Sequence, residues 1–375
     1  MLGMRMVRAA IDMANVRLCP EEILAGAAAR AAVDEGRALP LAGGPLAFAA
    51  VEALARDSAG AAVSEHFALA DLRDWAAHHG REGEIAAELA RIAAPRPAWA
   101  GFALDRALDR PLIMGILNVT PDSFSDGGAF FDTARAIDHG LAMMAAGADI
   151  IDIGGESTRP GAAETPPEEE LRRVFPVLEA LVAAGAVVSV DTRRAVVMRT
   201  VAAAGARIIN DVTALTGDPH SLHVAAHSDT PLVLMHKAGE PRTMQEAPRY
   251  DDVALDVLDY LEARIAACEA AGIARGRILI DPGIGFGKHP IAHNLPLLRR
   301  LALLHATGCG IVLGLSRKAF IGRVSRGEPA PERVAGSIAG ALWGASRGVQ
   351  VLRVHDVAET RQALAVQGAI LAALP

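Results

Sequence analysis

Eight short runs of β-branched and other apolar residues recur along the later part of the chain, and polar residues recur at or near their ends. They are Leu112 to Val119, Asp149 to Gly155, Val187 to Thr192, Arg207 to Val212, Pro231 to His236, Ile278 to Gly283, Ile311 to Ser316 and Val351 to Asp356. Between them lie Ala/Leu-rich stretches whose apolar spacing predicts helices over 132–146, 167–184, 193–204, 219–226, 251–271, 292–306, 331–345 and 358–374. Start signals support them. Pro166-Pro167 followed by Glu168, Glu169 and Glu170 places proline and negative charge in a first turn, and Asp132 and Asp191-Thr192 supply capping side chains. A strand–helix alternation repeated eight times predicts an α/β fold of the (β/α)8 TIM-barrel type. The same units build doubly wound open sheets, but no glycine fingerprint follows the first strand, which favours closure. In a barrel the strand ends meet, so Asn118, Asp191, Asn210, His236, Asp281, Ser316, Arg353 and His355 are expected around one mouth.

Upstream, 20–34, 48–56 and 72–93 show apolar residues at helical spacing, interrupted by Gly43-Gly44 and Gly60. Pro95-Arg96-Pro97 and the following AWAGFALDR mark a boundary. The expected organisation is a smaller, mainly helical N-terminal extension over 1–105 and a barrel over 106–375. A chain of 375 residues exceeds the roughly 250 that one barrel needs. The extension shows no catalytic spacing, and its His78, His79, Glu82 and Glu84 read as solvated helix ends rather than a metal cluster.

Aromatic residues make up only 4% of the chain, so Ala, Leu, Val and Ile must fill its interior. The net charge of −7 argues against nucleic acid as a partner, and an anionic small ligand would need a local basic pocket. Cys19, Cys268 and Cys309 match no metal or redox spacing and read as buried free thiols in a reducing compartment. Asp12, Glu21 and Glu22 interrupt the segment after Arg5 and Arg8, so no signal-peptide core develops, and no window offers the roughly 20 apolar residues of a membrane helix. A soluble cytoplasmic protein is expected.

The chemistry concentrates behind the strands. Asn118 opens a glycine- and serine-rich loop with carboxylates Asp122 and Asp126, and its amide oxygen suits a hard cation such as Mg2+. The next loop carries Thr158 and Arg159, a hydroxyl and a guanidinium fork fitted to phosphate oxygens. Asp152, inside its strand, reads as a buried brace. Arg353 and His355 alternate along the last strand and so share the face toward the barrel axis, where with Mg2+ they suit a pyrophosphate. Asp191, Asn210 and Asp281 form a second set, matched to neighbouring N–H donors such as the amino-pyrimidinone edge of a pterin. Lys318 is the candidate basic partner of these acids, and Met235 and Phe286 offer apolar faces to a flat ring. His220, His223 and His227 lack an HExxH partner and fall on the outer wall, so metal binding is not expected of them. Gly283 to Lys288 lacks Walker spacing and reads as a tight turn approaching a ligand with its backbone.

With these residues in hand, the chain resembles the dihydropteroate synthases. The resemblance rests on LNVTPDSFSDGG at Leu117, GGESTRPG at Gly154, SVDT at Ser189, IND at Ile209, LMH at Leu234 with PRTMQ at Pro241, DPGIGFGK at Asp281, SRK at Ser316 and RVHDV at Arg353. It implies condensation of (7,8-dihydropterin-6-yl)methyl diphosphate with p-aminobenzoate, releasing pyrophosphate. It further implies that Thr158, Asp191, Asn210, Met235, Asp281, Phe286 and Lys318 hold the pterin. Asn118, Arg353 and His355 would bind pyrophosphate, with Asn118 on a Mg2+ ion. Phe124, Arg159, Pro160, Ser316 and Lys318 would line the p-aminobenzoate pocket, and Asp122, Asp126, Arg159, Lys318, Arg353 and His355 form the expected catalytic set. Members of the family are commonly dimers through late barrel helices, so a homodimer is expected. One alternative is a pterin-binding methyltransferase domain, which would need neither the TPDSFSDGG loop nor the SRK turn. The other is a noncatalytic pterin-binding protein, or a scaffold centred on the N-terminal region, against which the intact loops and anion-site residues argue.

Overall fold

In the computed structural model, residues 16–105, 109–120, 129–156, 164–239 and 248–373 are described. Eight parallel strands close into a barrel in chain order: β7 (Leu112–Asn118), β8 (Ile150–Gly154), β9 (Val188–Asp191), β10 (Ile208–Asp211), β11 (Leu232–Met235), β12 (Ile278–Asp281), β13 (Gly310–Leu313) and β14 (Val351–Val354), which pairs back with β7. Seven lie within the predicted runs, and β13 begins one residue before its run at Ile311. The crossover helices are α4 (Ala129–Ala145), α5 (Pro167–Ala183), α6 (Ala195–Ala203), α7 (Ser221–Ala226), α8 (Val253–Ala270), α9 (Asn294–Arg299), α11 (Val334–Ser346) and α12 (Val357–Ala372). A short helix α10 (Ala319–Val324) after β13 was not expected, and the stretch predicted as one helix over 292–306 divides into α9 and a 3-10 segment, Leu301–Thr307.

Register fixes the rim. Asn118 pairs with Gly154, Gly154 with Asp191 and Asp191 with Asn210, one row across four strands. Met235 pairs with Asp281. Strand alternation then sorts the interior into layers: Ile150, Ile208, Val233, Leu279 and Val351 form a buried apolar floor, and the residues two positions further on are Asp152, Asn210, Met235, Asp281 and Arg353. The floor is sealed from below by a hairpin, β5 (Arg96–Trp99) and β6 (Phe102–Leu104), whose Trp99 and Leu104 join the apolar cluster. Trp99 Nε1 also donates to the Arg277 carbonyl at 3.1 Å.

The extension departs from the mainly helical reading. Helices α1 (Gly26–Asp34), α2 (Leu69–His78) and α3 (Glu82–Ala93) accompany a four-stranded sheet of β1 (Arg17–Leu24), β2 (Leu39–Pro40), β3 (Ala47–Arg56) and β4 (Ala62–Ala68). Phe48 to Arg56, expected as a helix, is therefore strand, and of the helix expected over 20–34 the part up to Leu24 is strand while Gly26–Asp34 is α1. The reason is burial: β3 pairs with β1 on one edge and with β2 and β4 on the other, and its run AFAAVEALA is covered on both faces. A strand buried on both sides loses the period-2 signature that separates it from a buried helix. His78 and His79 bond locally to the carbonyls of Asp74 and Trp75, and no cluster of metal-ligating side chains occurs among the described residues.

The extension is bolted to the barrel wall by ion pairs. Arg300 reaches Glu52 of β3 with two bonds of 2.6 and 3.0 Å and Asp252 with one of 2.7 Å, while Asp252 also caps α8 through the backbone N–H groups of Ala254 and Leu255. Burial opposes ionisation of Glu52, but the Arg300 fork outweighs it and holds the carboxyl below its usual range. Arg300→Met strands a carboxylate only 2% exposed and should destabilise the chain by about 2 kcal/mol, a partly exposed partner discounting the full cost of breaking a buried pair. Because the folded pKa is depressed, that stability is present at neutral pH and disappears as pH falls through the carboxylate range. Denaturant titrations of the two proteins at pH 7 and pH 4 check it, and an equal midpoint at pH 7 refutes it.

Candidate active site

At the C-terminal mouth one guanidinium serves two acids. Arg353 Nε donates to Asp152 Oδ2 at 2.7 Å and Nη2 donates to Asp191 Oδ2 at 3.1 Å, while Asn210 Nδ2 donates to the same Asp152 oxygen at 3.1 Å. Asp152 is fully buried, which bears out its reading as a brace. One positive charge between two carboxylates leaves an excess negative charge. Its cost falls on Asp191, whose carboxyl is pushed well up by burial and by Asp152, Asp211 and Glu170, against the pull of Arg353. Arg353 is held protonated by the two acids in spite of its burial.

Two glycines mark which of these side chains are neighbours. A Cβ on Gly154 would lie 3.4 Å from Asn118 Oδ1 and 3.8 Å from Asp191 Cβ, and one on Gly314 would lie 3.5 Å from Asp281 Oδ2 and 3.8 Å from Arg353 Cβ. Asn118 thus neighbours Asp191, and Asp281 neighbours Arg353, on a single rim.

Asp281 Oδ1 accepts the Gly283 N–H at 2.7 Å. Burial pushes this carboxyl up, and Lys318 is the main opposing charge. The Lys318 amine donates to the Ile284 carbonyl and stands 4.3 Å over the Phe286 ring, and burial lowers its pKa to about 8 against the attraction of Asp281. The SRK turn that delivers it is strained: Arg317 has φ 59, a left-handed conformation for a non-glycine residue. Three contacts hold that turn. Ser337 Oγ accepts the Arg317 N–H at 2.8 Å, Arg333 donates to the Arg317 carbonyl at 2.9 Å, and the Arg317 guanidinium pairs with Asp356. On the other side of the turn, Ser316 Oγ lies 3.1 Å from His355 Nδ1 and accepts the His355 backbone N–H at 3.2 Å. Burial, then Arg353 and Arg317, lower the His355 pKa to about 4, so the ring is neutral at pH 7.

Of the residues singled out in the sequence, Asn118, Asp191, Asn210, Met235, Asp281, Phe286, Ser316, Lys318, Arg353 and His355 are placed at or beside this mouth. Asp122, Phe124, Asp126, Thr158, Arg159 and Pro160 lie outside the described residues. The base of the second loop is visible: Glu156 accepts from Arg193 at 3.0 and 3.1 Å and from the Thr165 N–H at 3.2 Å. Sequence reasoning passed over Arg193 and Arg317, since neither ends a strand and their partners are distant in the chain. The 283–287 segment is the expected tight turn, with Gly283, Gly285 and Gly287 at positive φ. A Cβ on Gly283 would fall 1.8 Å from the His236 carbonyl oxygen, and one on Gly287 2.3 Å from that of Ala238, so both are required by the chain's own backbone.

The pterin binding enzyme family matches residues 114–355, which spans all eight strand ends just described. The chain belongs to that family. It is 50% identical over 274 residues to the dihydropteroate synthase of Escherichia coli K12, covering 73% of this chain and 95% of that protein. A Xanthomonas albilineans dihydropteroate synthase solved with 4-aminobenzoic acid is 51% identical with a TM-score of 0.68, covering 74% of this chain and 97% of that one. A Yersinia pestis dihydropteroate synthase in a sulfonamide drug complex is 46% identical with a TM-score of 0.69, covering 74% and 100%. Since the matches take up nearly all of each relative, the rest of this chain is additional to their common barrel.

Proposed function

We propose that this chain is a dihydropteroate synthase of folate biosynthesis, joining p-aminobenzoate to (7,8-dihydropterin-6-yl)methyl diphosphate with release of pyrophosphate. The observation that carries the reading is the meeting of Asp191, Asn210, Asp281, Lys318 and Arg353 on one rim, in a barrel half identical to enzymes of that name. Asp281 and Asn210 hold the pterin edge, and Asp191 closes the set. A carboxyl whose charge is made costly by burial gains donors when pterin N–H groups arrive, so binding and ionisation support one another. Met235 and Phe286 cover the ring faces, and Lys318 keeps a positive charge over Asp281.

In the reaction the arylamine nitrogen bonds to the methylene carbon as the C–O bond to diphosphate breaks, the electron pair leaving on oxygen. The amine nitrogen then gives its proton to solvent or to the departing diphosphate. Negative charge gathers on that leaving group, where Arg353 and an N–H of the neutral His355 ring stabilise it. The Asn118 amide oxygen fits Mg2+, since this cation takes few protein oxygens and completes its shell with phosphate and water. When bound it would neutralise diphosphate charge. Ser316 and Lys318 line the p-aminobenzoate pocket, where sulfonamides would compete. Incubation of the purified chain with both substrates and Mg2+ should yield 7,8-dihydropteroate and pyrophosphate in equal amounts. Pterin binding without any product would sink the proposal in favour of a noncatalytic pterin binder.

The three cysteines are free and buried, which supports a cytoplasmic location, and no helix among the described residues is long and apolar enough to cross a membrane. A homodimer through the late helices is supported by Val324 of α10, Trp343 of α11, and Val366 and Ile370 of α12, all exposed. Val366→Glu with Ile370→Glu should convert a dimer to monomer in sedimentation at micromolar concentration while leaving the far-UV spectrum unchanged. A wild-type protein that sediments as a monomer refutes the dimer.

A further inference from the structure

Lys288 ends the DPGIGFGK segment and is fully buried, although no sequence argument gave it a task. Its amine reaches three acceptor atoms: the Gly283 carbonyl at 3.0 Å, the Phe286 carbonyl at 3.2 Å and His236 Nδ1 at 2.7 Å. Burial, reinforced by Lys318, pushes its pKa well below the ordinary lysine range, while Asp281 pulls the other way. His236 is neutral, its pKa lowered to about 3 by burial and by Lys288. Either protonation state keeps all three contacts. An ammonium donates to all three acceptors, whereas a neutral amine donates to the two carbonyls and accepts the Nδ1 proton of His236.

The turn tied down in this way carries the groups assigned to the pterin. Gly283 N–H holds Asp281 Oδ1, the Ile284 carbonyl accepts from Lys318, and Phe286 lies beneath the Lys318 amine. Its outer side is fastened too: the His236 N–H donates to the Asp281 carbonyl at 3.0 Å, and Tyr250 Oη donates to the Gly287 carbonyl at 2.8 Å. Among the described residues, Lys288 is the side chain that reaches both the start and the end of this turn from within.

We infer that Lys288, with His236 as its partner, is a positioning residue for the pterin pocket, setting the turn that aims Asp281, Phe286 and the Lys318 amine at the substrate without touching it. The inference rests on the function proposed above and concerns chiefly the pterin half of the site. Lys288→Met should therefore raise the dissociation constant of 6-hydroxymethylpterin, read by its own fluorescence, and the KM for the pterin diphosphate by about 10-fold or more, several hydrogen bonds being lost together. The KM for p-aminobenzoate at saturating pterin diphosphate should rise less, because Lys318 is the group the two pockets share while Ser316 keeps its own contacts.

A purely structural lysine would instead lower the melting temperature and the active fraction while leaving the pterin constants of the folded molecules unchanged, and that result overturns the inference. If Lys288→Met does not fold, His236→Phe decides. It keeps an aromatic ring against Tyr260, removes one of the three contacts, and should weaken pterin binding by about threefold. Unchanged pterin affinity in that variant, or an equal rise in both KM values, refutes the proposal. Failure of the wild-type protein to bind 6-hydroxymethylpterin would refute the function itself, before any variant is compared.

Discussion

Arg353→Ala is expected to lower kcat/KM for the pterin diphosphate by about 1000-fold and to destabilise the protein by about 3 kcal/mol. Both effects come from one side chain. Its guanidinium is the stabiliser assigned to the departing diphosphate, and it is also the shared counter-ion of Asp152 and Asp191. Without it Asp152 and Asp191 lose their shared counter-ion, and Asp152 is fully buried. The two roles separate in the double variant with Asp152→Asn. That change removes one stranded charge, so it should recover most of the lost stability in denaturant titration and none of the turnover. Pyrophosphate affinity in the presence of Mg2+, measured by titration calorimetry, should fall in both proteins. Wild-type kinetics in Arg353→Ala would remove Arg353 from the anion site, and recovery of turnover in the double variant would show that its work is structural only.

Lys318→Met should cost about 100-fold in kcat/KM, since a charge over the pterin acids is lost with little change in volume. The wild-type protein carries a matching pH signature. The Lys318 pKa lies near 8, below its ordinary 10.5, so kcat/KM should fall as pH rises through about 8, where the free enzyme loses that proton. Stability should move the opposite way. A lysine whose folded pKa is depressed is disfavoured in its charged form by folding, so this residue weakens the fold most below pH 8, and the penalty fades as pH climbs toward 10.5. Activity falling while the Lys318-dependent part of stability rises across the same interval would be hard to obtain from general alkaline damage. A pH profile of kcat/KM with the same alkaline limb in Lys318→Met would assign that limb to another group.

The barrel was legible because its signal is local and repeated. Each of the eight apolar runs became a strand, to within one residue at Gly310, and the stretch after Pro166-Pro167 became α5 with its three glutamates in the first turn. The extension was less legible for the opposite reason. Ala47–Arg56 is buried by β1, β2 and β4, none of which its own composition announces, so its alanines and leucines resemble a helix until the neighbours are in place. The site divides along the same line. Asp281 and His355 stood out as polar ends of apolar strands, whereas Lys288 and Arg317 lie in turns, and their importance rests on which carbonyls and carboxylates they reach.

From the order of residues alone came the alternation, the closed barrel it implies and the identity of the side chains at each strand end, all of which depend on periodicity and on near neighbours. Folding in three dimensions decided the pairings. Arg353 meets Asp152 across 201 positions and Arg300 meets Glu52 across 248, and no local pattern specifies either contact. Strand register and barrel closure bring those charges together. Once they share a poorly solvated mouth, their mutual electrostatics, rather than their separate residue types, set which are ionised and which can hold a substrate.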